Sequence, residues 1–257
     1  MYRETVEKFS TLAHKKANFV QSSPIGFFVA AMLAGAYVGL GIILIFTVGA
    51  EVDPSIRKLV MGTSFGIALT LVVFAGAELF TGHTMYMTLG WLSRKTGGLD
   101  LVRCWGLSWL GNLAGAAGLA LLYAWGGGFM LKGGSELLYS IAAAKMGGSA
   151  DVLLAKGILC NWLVCLALWM SARTDNDAAK CIVIFWCLFA FIASGFEHSV
   201  ANMTIFSIAL LGDHPDAISL SGMGHNLFWV TIGNAISGSL FVGGAYWMAS
   251  PGTKKVE

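Results

Sequence analysis

Charged side chains are scarce in this 257-residue chain: Asp, Glu, Lys and Arg make up only 12% of it. An ordinary soluble domain carries about 25%. So few charges cannot coat the one or two soluble domains that the length would otherwise allow. Neither sign is in large excess, and a net charge of +2 leaves no basic domain to neutralise phosphates, which excludes nucleic acid as a partner. Cysteine is rare and odd in number, with five residues. No Cys-x-x-Cys or Cys/His metal spacing occurs, and Cys160, Cys165, Cys181 and Cys187 lie in apolar stretches, as plain thiols in a reducing cell would. Neither a metal nor a cofactor is therefore expected. The first 20 residues hold Arg3, Glu4, Glu7, Lys8, Lys15 and Lys16 without an apolar core, so a cleaved signal peptide is not expected either.

Apolar residues dominate instead, at 56% of the chain with a mean hydropathy of +0.73. This is the composition of an integral membrane protein. Its 33 glycines are nearly double the ordinary ~7%, a load that membrane helices use for close backbone packing. Uncharged runs predict six crossings: Gly26–Gly49, Leu59–Leu92, Cys104–Trp125, Val152–Ser171, Cys181–Gly212 and Gly222–Ala249. Turn formers fill the links, at Asp53-Pro54, Gly97-Gly98, Asp175-Asn176-Asp177 and His214-Pro215-Asp216. Basic residues are unevenly shared, 11 on the side of the termini and the 2–3 and 4–5 links, and 5 on the other. The positive-inside rule then puts both termini in the cytoplasm. One transmembrane domain fills residues 1–257: an N-terminal segment (1–23), a first repeat (24–125), a link on the side away from the termini (126–151), a second repeat (152–249) and a tail (250–257). Within the N-terminal segment, Tyr2, Val6, Phe9 and Ala13 recur at helical spacing among charges. Both a helix lying on the inner leaflet and a short solvated tail satisfy that pattern.

Two of the six runs are too long. Leu59–Leu92, 34 residues, would reach about 51 Å as one helix, and Cys181–Gly212, 32 residues, about 48 Å. The hydrocarbon core is only about 30 Å thick. Each run also has a mid-membrane carboxylate, Glu78 or Glu197, which tilt does not explain. A helix broken at that point does, with the carboxylate capping the open N–H groups of the second half. Gly76-Ala77-Glu78 precedes Met85 much as Gly195-Phe196-Glu197 precedes Met203, with the glycines 119 residues apart. Gly111-Asn112…Gly115 and Gly233-Asn234…Gly238 repeat at an offset of 122. Spans 1–3 and 4–6 therefore read as copies, and since three is odd the second is inverted. The fold class is an all-α membrane protein of two inverted three-helix repeats, a plan that points to a transport path at midplane.

Polar side chains within spans are costly unless they face a pore or another helix. Thr81, His83, Asn112, Asn161, His198, Asn202, His225 and Asn234 are the candidates. Any single Asn also serves as interhelical hydrogen-bond glue, and a histidine also packs against a carbonyl. His198, next to Glu197 at a break, is the site candidate because imidazole exchanges protons near neutrality. Phe65, Leu69, Leu79, Phe80 and Phe191 surround the breaks, where they suit either a hydrophobic constriction or ordinary packing.

The tracts Gly76-Ala77-Glu78-Leu79-Phe80-Thr81-Gly82 and Gly195-Phe196-Glu197-His198-Ser199-Val200-Ala201-Asn202-Met203 resemble the two signature loops of the formate–nitrite transporter family. Lys156-Gly157-Ile158-Leu159-Cys160-Asn161 and Thr231-Ile232-Gly233-Asn234 match it too, so the resemblance runs from about Pro24 to Trp247. Gly35-Ala36-Tyr37-Val38-Gly39-Leu40-Gly41 and Gly224-His225-Asn226-Leu227 resemble its nitrite-channel branch. The resemblance implies an aquaporin-like six-helix protomer with its own pore, assembled as a homopentamer in the bilayer and passing a small inorganic anion. By motif, His198, Thr81, Asn161 and Asn234 become central pore residues, and Phe65, Leu69, Leu79, Phe80 and Phe191 the constrictions. Lys145 becomes the vestibule cation that attracts the anion, and Glu78 and Glu197 stabilise the loops.

Nitrite, formate and hydrosulfide all suit such a pore. An aquaporin proper does not fit, since none of Pro24, Pro54, Pro215 and Pro251 allows an Asn-Pro-Ala motif at either break. A haem electron carrier with His83, His198 and His225 as axial ligands and an intramembrane serine protease are the alternatives of a different class. For the latter, no Gly-x-Ser-Gly sequence occurs.

Overall fold

A computed structural model describes residues 2–132 and 135–250. Among these the secondary structure is helical throughout: α1 (Arg3–Ser22), α2 (Pro24–Ala50), α3 (Pro54–Ser64), α4 (Gly66–Ala75), α5 (Phe80–Leu92), α6 (Gly98–Trp125), α7 (Ser135–Met146), α8 (Ala150–Ser171), α9 (Asp177–Ala193), α10 (Ser199–Leu211) and α11 (Leu220–Ile236). A 3₁₀ turn, Phe129–Leu131, precedes α7, and α11 runs on through a π-helical stretch, Ser237–Gly244, into Ala245–Met248. Five passages are long and apolar enough to cross a membrane: Pro24–Ala50, Pro54–Ala75, Gly98–Trp125, Ala150–Ser171 and Leu220–Met248. The sixth is made of α9 and α10 in two pieces, of 17 and 13 residues. The chain is a multi-pass membrane protein with an aquaporin-like protomer.

Local chemistry sets the ends. Pro24 and Pro54 open α2 and α3, where the missing N–H costs nothing. The Asp53 carboxylate accepts the Ser55 N–H at 2.9 Å, and Asn176 caps α9 through Ala179 at 3.0 Å. The third crossing starts at Gly98, six residues before the predicted Cys104. Asp100 and Arg103 interrupt the apolar run, yet the Asp100 carboxylate accepts the Gly97 N–H at 2.9 Å and holds that first turn in place.

Both long runs break where the repeat predicts. Gly76 (φ +79°) ends α4 and Gly195 (φ +71°) follows α9, left-handed conformations that glycine adopts without penalty. Three residues, 77–79 and 196–198, then cross in extended form before α5 and α10 begin. The first run also has a hitch at Phe65, between α3 and α4.

The helix pairs α2/α6 and α8/α11 form the matching seams of the two repeats. A Cβ on Gly35 would overlap the carbonyl of Asn112, and one on Gly115 that of Met32. In the second seam Gly157 and Gly233 stand against the carbonyls of Val230 and Leu154. These glycines therefore close contacts inside one protomer. The outer surface carries Ile25, Leu122, Trp125, Trp186 and Phe228, each more than half exposed.

The N-terminal segment is neither a leaflet-bound helix nor a tail. Val6, Phe9, Ala13, Ala17 and Val20 make one buried stripe on α1, and Phe9 stacks on Tyr86 at 5.1 Å and on Trp169 at 5.7 Å. Docking on the bundle buries apolar surface that would otherwise need lipid. Lys254 and Lys255, counted above for orientation, lie outside the described residues.

Candidate functional site

The half-helices α5 and α10 begin inside the protein, where their first N–H groups find no water. One asparagine answers each end. Asn112 accepts the Phe80 N–H at 2.9 Å and donates its amide to the carbonyls of Ala31 (2.8 Å) and Glu78 (2.9 Å). Asn234 accepts the Ser199 N–H at 3.0 Å and donates to the carbonyls of Gly157 (2.8 Å) and Glu197 (3.1 Å). The extended segments are pinned alike, through Glu78 N–H to the Ala30 carbonyl (3.1 Å) and Glu197 N–H to the Lys156 carbonyl (3.3 Å).

The capping role expected of Glu78 and Glu197 is thus corrected. A carboxylate only accepts, and would leave two carbonyls unmet, whereas one amide serves the N–H and both carbonyls. The carboxylates turn to side chains instead. Glu78 is paired with Lys16 and lies 2.8 Å from His83 Nε2. Glu197 is paired with Lys145 at 2.9 Å and accepts from Asn202 at 2.6 Å.

These two clusters sit in two cavities. The first, of about 290 Å³, is bordered by Lys8 and Lys16 of α1, Lys180, Glu78, His83 and Leu79. The second, of about 300 Å³, is bordered by Lys58, Lys145, Lys156, Glu197, His198 and Phe191. A chamber of about 10 Å³ shares Leu69 and Leu79 with the first and Phe191 and His198 with the second, and Phe65 and Val38 complete its wall. Such a space is at the lower limit for one water molecule. The three together trace one path, wide and cationic at both mouths and closed by apolar rings at its middle.

His198 stands at that closure, 4% exposed, with its ring stacked on Phe191 at 5.9 Å. Its Nδ1 accepts the Ala201 N–H at 3.2 Å and so caps α10. An accepting Nδ1 leaves the ring proton on Nε2, which points to Thr81 Oγ1 at 3.3 Å.

Of the residues chosen from sequence, Phe65, Leu69, Leu79, Phe191 and His198 meet at the chamber, and Thr81 joins them through His198. Others stand elsewhere. Phe80 packs edge-on against Trp105, 6.3 Å away, because its position as the first residue of α5 aims it at α6. Asn161 donates to the Asn234 carbonyl (2.6 Å), Thr84 (3.0 Å) and the Thr81 carbonyl (3.3 Å). Asn161 and Asn234 therefore tie α5, α8 and α11 together, and neither borders one of these three cavities. His225 is exposed and bonded to the Gly148 carbonyl at 2.9 Å. Lys145 lies in α7 as one half of an ion pair, 18% exposed.

Lys16 is not among the candidates that the sequence offers, yet its spacing is informative: it follows Ala13 by three and precedes Val20 by four, a cation on the edge of the buried stripe. Lys8, Lys58, Lys156 and Lys180 gave no such signal. Asn112 was a candidate without a role until its match with Asn234 became geometric.

Comparisons with known proteins agree with this architecture. The family model for the formate/nitrite transporter matches residues 3–248. The nitrite transporter NirC of Salmonella typhimurium (strain LT2) is 53% identical over 99% of this chain and 94% of its own length. The formate channel FocA of Escherichia coli (strain K12) is 32% identical over 88% of this chain and 86% of its own. A solved FNT family ion channel superposes with a TM-score of 0.95 at 53% identity, covering 97% of this chain and all of that one. A pentameric formate channel with formate bound superposes with a TM-score of 0.75 at 29% identity, over 89% and 98%. The chain belongs to the formate/nitrite transporter family.

Proposed function

We propose that this protein is a nitrite channel of a bacterial inner membrane, a homopentamer with one pore in each protomer and both termini cytoplasmic. One observation carries the reading: two lysine-bearing cavities converge on a single buried imidazole across an apolar closure. Relatives support the substrate, since those named nitrite transporter reach 53% identity and the formate channel 32%.

Entry begins with charge. Lys8, Lys16 and Lys180 at one mouth and Lys58, Lys145 and Lys156 at the other raise the local anion concentration. Glu78 and Glu197 each offset one of those cations, which keeps an anion from being held too tightly to leave. At the closure of Phe65, Leu69, Leu79 and Phe191 the anion loses water, a step that is costly for a bare charge. His198 Nε2–H is the donor that meets it there, with Thr81 as its resting partner. Because Nδ1 is already engaged by the Ala201 N–H, a second ring proton would break the α10 cap. His198 therefore acts as a neutral hydrogen-bond donor, and any proton that accompanies the anion comes from cavity water.

The test is nitrite flux into liposomes between pH 5 and 8 for the wild type and His198→Asn. A pentamer of about five times 27.2 kDa whose flux or anion selectivity is altered by the substitution is the expected result. Superimposed curves for nitrite and formate would reduce His198 to scaffolding. A protein that passes formate or hydrosulfide in preference to nitrite would overturn the substrate.

A further inference from the structure

The two mouths are built on one plan but differ at one place. In each, a glutamate of the broken loop meets a lysine from the helix preceding its repeat: Lys16 of α1 with Glu78, Lys145 of α7 with Glu197. In each, a side chain five residues further along the half-helix donates to the same carboxylate. That side chain is His83 at one mouth and Asn202 at the other.

The surroundings of the two donors differ as well. Both amide N–H groups of Asn202 are engaged. Its second N–H goes to Asn226 Oδ1 at 2.9 Å, and Asn226 in turn donates to the Lys145 carbonyl at 2.8 Å. His83 keeps a nitrogen in reserve: Nδ1 is buried and meets no partner among the described residues, while the residue borders the α1-side cavity. An amide cannot change its charge in the physiological range, whereas an imidazole can.

We infer that His83 is a positioning residue whose proton exchange resets the charge of the α1-side mouth alone, so that anion entry from that side rises on acidification while entry from the other mouth lacks this response. With His83 neutral, the Lys16–Glu78 pair cancels. With His83 charged, the cluster carries one net positive charge. The groups that face the ring are Glu78 in contact, Lys16 beyond it on α1, Lys8 and Lys180 across the cavity, and Tyr86, whose ring lies 5.9 Å away. Cys104 of α6 and Cys165 of α8 are buried thiols on the two helices packed beside α5. On the opposite side His198 is the imidazole at the cavity, and its Nδ1 is committed to the α10 cap. The inference rests on the channel reading of the preceding section.

The experiment uses inverted and right-side-out membrane vesicles, in which each face is presented in turn, with nitrite flux measured at pH 5.5 and 7.5 on the entry side. A unit charge taken as roughly 8 Å from a passing anion, in a medium of dielectric about 40, changes local anion concentration roughly fivefold. Wild-type flux from the α1 face should rise by roughly that factor on acidification. His83→Asn copies the chemistry of the other mouth, and should retain flux at pH 7.5 and lose the rise. Asn202→His should create a matching rise from the α7 face. A rise that persists in H83N overturns the inference and leaves the channel reading intact.

If no vesicle passes nitrite, the channel reading fails separately, and the ring itself is still observable. Nitrogen-15 histidine spectra of the protein in nanodiscs, recorded from pH 5 to 8, should show the His83 ring taking up its second proton on acidification. A ring locked in one protonation state across that range also overturns the inference.

Discussion

Asn112→Leu removes the group on which the first break depends, and its cost is read from three bonds. Leucine has similar volume and no polar atoms. The Phe80 N–H and the carbonyls of Ala31 and Glu78 lose partners at 2.9, 2.8 and 2.9 Å, in a place where Asn112 is fully buried. Each buried group left unmet costs about 1–3 kcal/mol. Carbonyls tolerate under-satisfaction better than N–H groups, and neighbouring losses do not add fully. A total of about 3–5 kcal/mol follows. For a chain of this size each kcal/mol moves the melting temperature by about 2–4 °C, so a fall of about 6–20 °C is expected. Asn112→Asp separates the contributions. It retains the acceptor for Phe80 but turns a carboxylate toward two carbonyl oxygens and buries a charge, so it should do no better than leucine. Tryptophan fluorescence on heating in mild detergent, with nine tryptophans as reporters, measures both variants. A midpoint within 2 °C of wild type for Asn112→Leu would refute the view that this amide holds the break together.

Lys145→Met leaves Glu197 without its cation, so nitrite entry from the α7 side should fall, and more at low ionic strength than at high, since salt screens exposed charges. Equal flux at both salt levels would remove Lys145 from the entry step. Phe191→Ala opens the chamber wall beside His198; flux should rise and discrimination against larger anions should drop, measured by a competition series in liposomes. Gly115→Ala sets a methyl group against the Met32 carbonyl and should cost the fold itself, seen as loss of folded protein on gel filtration. A normal yield would mean that the α2/α6 seam has slack.

Residues 76–82 and 195–203 carried the repeat, the breaks and the family resemblance because left-handed glycines and a mid-membrane acid are local marks. Spans followed from hydropathy for the same reason: the cost of placing a charge in lipid is a property of each residue. Leu79 and His198 were legible because they sit at those breaks. Phe80, adjacent to Leu79, was misread, since Leu79 ends the extended segment and Phe80 opens α5, so the backbone changes direction between them and Phe80 packs on Trp105.

What remained hidden depends on pairs distant in the chain. Asn112 and Phe80 are 32 residues apart, Asn234 and Ser199 are 35 apart, and Lys16 meets Glu78 over 62. A sequence shows that an asparagine lies in a span; whether it lines a pore or ties helices together is settled by which helix stands opposite. Asn161 and Asn234 turned out to be ties on that ground. Hydrophobicity is additive and local, and so composition and spacing suffice to read spans, breaks and the inverted repeat. Hydrogen bonding is directional and reaches about 3 Å. The identity of each cap, the ion pairs at the two mouths and the contrast of His83 with Asn202 therefore became visible when α1 through α11 were brought together.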